Sequence, residues 1–182
     1  MTAASLILYA MGTVAARTRA ADRAYADALL HLCALSIVAG GIHAVVAARH
    51  FDEYWAFGAF FAALAIVQLG WGPWVYSRPS ALGMRAGIAI NAAVIVVWIA
   101  SRTVGVPLGP EPWRPEAVGP LDLAASAAEA LVVVLACAFL ATVGEPRGAA
   151  ALPGRLRPLQ PVALAVMAAG LLILLLGGAR AH

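Results

Sequence analysis

Five long apolar runs leave this chain few ways to fold. They cover residues 29–48, 54–76, 81–100, 121–143 and 161–177. Each has about the length a helix needs to cross a bilayer core, ~17–25 residues. None alternates apolar and polar residues with a period of two, so barrel strands are excluded and helices remain. With 63% apolar and 12% charged residues, the composition also lies far outside that of soluble domains. The expected fold is an all-α polytopic transmembrane bundle with five or six spans. The sixth would be the apolar stretch 5–16, which has no basic residues ahead of it and so does not read as a secretory signal. The alternative for that stretch is a helix lying in the membrane interface. The chain thus divides into an N-terminal segment, 1–28, and a five-helix bundle, 29–182. Its partners are the bilayer and, with so much apolar surface, a second copy or a larger membrane complex.

The net charge of +3 comes from twelve arginines and nine acids, with no lysine at all. Schiff-base chemistry and a lysine nucleophile are therefore excluded. The arginines are scattered through short loops and form no basic stripe, so nucleic acid is not an expected partner. Arginine and alanine in place of lysine suggest a high-GC bacterial genome. Cys33 and Cys137 sit in apolar runs without a CxxC spacing, which argues against disulfide redox chemistry; they read as small hydrophobes. No nucleotide-binding, hydrolase, HExxH or kinase signature is present. Catalysis is not indicated.

Arginine placement sets the orientation. Arg17, Arg19, Arg23, Arg78, Arg85, Arg147, Arg155 and Arg157 fall on one side; Arg49, Arg102, Arg114 and Arg180 fall on the other. The positive-inside rule then places loops 49–53 and 102–119 outside the bacterial cytoplasmic membrane. Tyr54 and Trp55 at one end of the second run, and Trp71, Trp74 and Tyr76 at the other, read as interfacial belts or as packing aromatics. The 102–119 loop carries Pro107, Pro110, Pro112 and Pro115, which favours stiff, extended backbone. It is either a rigid lid, with Trp113 folded back to the interface, or a plain connector.

Ionisable side chains inside the apolar runs are the functional signal, because hydrocarbon is a poor solvent for them. His43 and His50 lie seven residues apart on the first clear span, and Asp122 and Glu129 lie seven apart on the fourth. That spacing keeps each pair on one helix face, about 10.5 Å apart along the axis. The two spans run in opposite directions. His43 therefore meets Glu129 at one depth, and His50 meets Asp122 near the outer boundary. Asp52 and Glu53 complete an outer shell, and Arg102 would balance it or snorkel to the headgroups. Gln68 and Asn91, mid-span, read as interhelical glue or as auxiliary polar groups.

Three roles fit this constellation. His43, His50, Asp52, Glu53, Asp122 and Glu129 could hold a transition metal such as zinc, copper or iron. The same layers could form a proton or substrate path opening outwards. Or His43 and Glu129 could simply hydrogen-bond and fix the packing. Two histidines seven apart do not clamp one ion, so a metal would need ligands from several helices. Haem is not expected, since His31, His43 and His50 share one helix and His182 is terminal; nor is a nucleotide or retinal. The leading expectation is a metal-handling site in the outer half of the bundle. A non-catalytic accessory subunit and a small proton-coupled transporter are the alternatives.

Two motifs carry a resemblance. H-x6-H-x-DE-x-W-x2-G at residues 43–58 and W-x2-SRT-x-G-x-P at 98–107 are similar to those of small, uncharacterised polytopic membrane proteins of high-GC bacteria. The resemblance covers residues 29–135 and implies a membrane bundle but no activity.

Overall fold

The computed structural model describes residues 2–143. They form four α-helices: α1 (Ala3–Glu53), α2 (Trp55–Ser77), α3 (Ala81–Thr103) and α4 (Pro120–Val143). All four are long and apolar enough to cross a membrane. Among the described residues there are thus four candidate spans, not five or six; the expected span at 161–177 lies outside them. The three other bundle helices match their expected limits within three residues, because each is flanked by a clear stop signal. Ser80 caps α3, its Oγ accepting from Gly83 N at 3.0 Å. At the other end of α3, Gly105 takes a left-handed φ of 75° and donates its N–H back to Ala100 O at 2.9 Å. Pro120 opens α4, where its missing N–H costs nothing.

The N-terminal segment differs from expectation. Residues 5–16 are not a separate span: they belong to the 51-residue α1, which runs on unbroken through 17–27 into the bundle. The 17–27 stretch, RTRAADRAYAD, holds no glycine or proline and is rich in strong helix formers, so nothing turns the chain. At 1.5 Å per residue α1 is about 77 Å long, more than twice the ~30 Å hydrocarbon thickness. Its C-terminal half packs in the bundle, from Leu29 onwards. Among the described side chains ahead of Leu29, none is buried.

The helices alternate in direction. A single extended residue, Tyr54 (φ −162°, ψ 125°), joins α1 to α2, and these two helices make the most extensive contact. Their backbones come close where Gly40 faces Leu69 and Ala65, and where Gly72 faces Cys33 and Ser36. α4 packs against both α1 and α3, while α2 and α3 touch much less. Towards the Arg78 end lies an apolar core of Leu29, Leu32, Val75, Met84, Val132 and Phe139. Trp71 and Tyr76 are buried there, each 7% exposed, so they are packing aromatics and not belt residues. Trp55 and Trp74 are exposed, as a belt position requires. The Gly83–Gly87 pair seats the Trp71 indole: Nε1 donates to Gly83 O at 2.9 Å, and a Cβ on Gly87 would run into the ring.

Candidate functional site

Towards the other end of the bundle, the four helices meet through polar side chains. His43 of α1 and Glu129 of α4 are in contact, Nε2 to Oε1 at 2.9 Å, with side chains 6% and 0% exposed. The equal-depth pairing expected from the seven-residue phase is what the helices make. Gln68 of α2 donates from Nε2 to the same Glu129 oxygen at 3.0 Å and to Asn91 Oδ1 of α3 at 3.2 Å. Asn91 in turn donates to Gly87 O at 2.8 Å. Each helix contributes one side chain, and each lies on the bundle-facing stripe of its helix because lipid would strand it. One turn or two below, Ser36 Oγ donates to Gln68 O at 2.7 Å and steadies the α1–α2 contact.

Glu129 Oε1 accepts from Gln68 and faces His43 Nε2, which assigns the N–H to that ring nitrogen. His43 Nδ1 and the two acceptors Glu129 Oε2 and Gln68 Oε1 are buried without a hydrogen-bond partner among the described residues. Buried polar atoms are nearly always satisfied in proteins. Towards the same end of the bundle Trp98 Nε1 and Arg102 Nε, both donors, are likewise without a partner among the described residues.

The second layer is arranged differently from the expected His50–Asp122 pairing. His50 Nδ1 bonds Glu53 Oε2 at 2.8 Å, three residues on along its own helix, and its ring stacks on Phe61 with centroids 4.3 Å apart. Asp122 is taken by Arg102, whose Nη2 donates to Oδ2 at 2.8 Å. The same oxygen accepts from Gly119 N at 2.8 Å, capping α4. Arginine wins this contact because it sits in the last turn of α3 and Asp122 in the first turn of α4, where the helix dipoles favour each charge. Arg102 Nη1 also pairs with Glu116, and Glu116 N bonds Ser101 O at 3.0 Å. The proline-rich loop is thereby pinned across the top of α3. Trp113 stays 64% exposed, and Asp52 and Glu53 are exposed as well.

Between the two layers lies a cavity of about 220 Å³. His43 and Glu129 line it at one end; His50, Arg102, Asp122 and Glu116 line it at the other. Its walls are apolar and include Phe57, Phe60, Phe61 and Trp98, while Leu108 comes down from the loop. Above it, sharing His50, Arg102, Glu116 and Asp122, opens a vestibule of about 610 Å³. Four carboxylates (Glu53, Glu111, Glu116, Asp122) and two guanidiniums (Arg102, Arg114) line this vestibule, so with neutral His50 its formal charge is −2.

The phenylalanines escaped the sequence reading. Their signal is the i, i+4 spacing of Phe57 and Phe61 on α2, which puts both on one face, opposite His43 and His50 on antiparallel α1. The six residues expected to surround a metal do not converge. Among the described residues no group of three or more His, Cys, Asp and Glu side chains is placed to hold a metal ion. Cys33 is buried in the apolar core and Cys137 is exposed, in keeping with their reading as small hydrophobes.

The fold and site together define an all-α bundle of membrane-spanning type, with a buried His–carboxylate contact at the end of an aromatic-walled cavity. Comparison with protein-family models, curated proteins and solved structures gave no match to this chain.

Proposed function

We propose that this protein is a multi-pass protein of the bacterial cytoplasmic membrane that takes up a cation from the outer face and holds it at His43 and Glu129. In this reading the full chain has five spans, with the fifth at 161–177, and loops 49–53 and 102–119 lie outside. One observation carries the proposal. The buried His43–Glu129 contact lies at one end of a cavity that shares His50, Arg102, Glu116 and Asp122 with an acidic vestibule. Fields focused in such a vestibule raise the local concentration of cations. A carboxylate deep in the bundle is costly, ~2.5–3.5 kcal/mol on insertion scales, and in membrane proteins marks a functional path.

Zinc, copper or iron is the narrower form of this reading. His43 and Glu129 would be its protein ligands, two where zinc sites use three or four, so water or Gln68 Oε1 would have to complete the shell. Thermal denaturation of the purified full chain, with metal ions and small ammonium ions added one at a time, tests the broader reading. At about a hundredfold excess over Kd, a bound cation adds ~2.7 kcal/mol of stability. At least one cation should raise the melting temperature of the wild type and leave Glu129→Gln unmoved. A panel in which no cation does so overturns the proposal.

A further inference from the structure

The cavity's walls say what sort of cation its floor can take. A metal ion wants three or more hard or nitrogen donors, and its shell here would consist largely of phenylalanine and tryptophan faces. An anion meets three carboxylates, Glu116, Asp122 and Glu129, against one guanidinium. A purely apolar guest would leave the polar groups at both ends of the cavity, His43 and Glu129 at one and Arg102, Asp122 and Glu116 at the other, without a new partner. An organic ammonium group answers all three conditions. Its N–H groups are donors without lone pairs, its charge balances Glu129, and its carbon body is at home against aromatic rings, which attract cations through their faces.

Size narrows the class further. The cavity measures about 220 Å³, against ~150 Å³ for a protein cavity that binds benzene. There is room for one ring and a short aliphatic arm. The depth agrees: Glu129 lies seven residues beyond Asp122 on α4, about 10.5 Å along the axis.

Resting on the cation reading above, we propose that the guest is a protonated organic amine with a compact apolar body. Its ammonium group takes the His43–Glu129 end of the cavity, and its body lies between Phe57, Phe61 and Trp98. The vestibule then selects for positive charge, and the walls select against hydrated metal ions.

Isothermal titration calorimetry of the full chain in lipid nanodiscs tests this, with empty discs subtracted. The probes are 2-phenylethylamine, its neutral counterpart 2-phenylethanol, and zinc. The amine should bind at least about tenfold more tightly than the alcohol, a difference of ~1.4 kcal/mol. Glu129→Gln should remove most of that preference. Ala125→Leu narrows the cavity, leaves His43 and Glu129 in place and should weaken the amine by a similar factor. If Glu129→Gln does not fold, His43→Gln and Ala125→Leu carry the comparison. Equal binding of amine and alcohol, or amine binding indifferent to all the variants, overturns the proposal. Zinc binding that depends on Glu129, with no amine binding, overturns it too but leaves the cation reading standing. Binding of neither overturns the amine proposal, and the cation reading falls with it when the full panel of ions above also leaves the melting temperature unmoved.

Discussion

The two halves of the bundle are built from the same four helices to opposite ends. Towards Arg78, buried leucine, valine, methionine and aromatic side chains fill the space between helices, with Trp71 seated on glycine. Towards Arg102, the interior holds five buried polar side chains, His43, Gln68, Asn91, Ser101 and Glu129, and an aromatic-walled cavity. Apolar packing is concentrated in the first half, while the second carries polar groups at a cost in packing. Proteins commonly break local rules at functional sites and compensate elsewhere; here the two regions are stacked along one axis.

Mutations can break or sharpen this contrast. The largest effect is expected in the packed half. Trp71→Ala removes the indole from its glycine seat and should cost about 3–5 kcal/mol, read as a fall in the melting temperature or in the SDS fraction needed to unfold the protein. A loss below about 1 kcal/mol would mean that this half is not the stabilising one. Next come the polar contacts. His43→Leu or Glu129→Leu alone strands buried partners and should destabilise by about 3–5 kcal/mol at most. The double replacement should be as stable as the wild type or more so, while abolishing cation binding. A double variant less stable than either single would make the pair a structural device. The smallest contrast compares two buried alanines of α4. Ala136→Leu overfills the packed half and should cost about 1–3 kcal/mol, whereas Ala125→Leu projects into the cavity and should cost well under 1 kcal/mol. Equal costs would erase the distinction between the halves.

Much of this was readable without coordinates, and the exceptions have physical causes. Helix limits at Ser77, Ala81, Thr103 and Pro120 follow from proline, glycine and capping residues, and the His43–Glu129 contact follows from helix phase and alternating direction. The full length of α1 is not legible in hydropathy, which marks where a helix is apolar and says nothing of where it stops. The charged 17–27 stretch is polar on that scale, yet it contains no breaker. The His50–Asp122 pairing failed for a different reason. Depth brings groups to one level, but the Arg102 guanidinium, in the last turn of α3 and facing the first turn of α4, outcompetes an imidazole for a carboxylate. The cavity was invisible because a void is a property of four surfaces together, and no single helix records it.

Gln68 has a mechanical consequence. Its amide bonds Asn91 and Glu129, and Glu129 reaches His43, so α1, α2, α3 and α4 are fastened to one another at a single level. A slip of one residue along any helix moves its side chain by ~1.5 Å and breaks that fastening. Rotation about it strains the bonds far less. A thinner or thicker bilayer changes helix tilt, and this level resists sliding under such changes, as the Arg102–Asp122 pair does between α3 and α4 at the vestibule end.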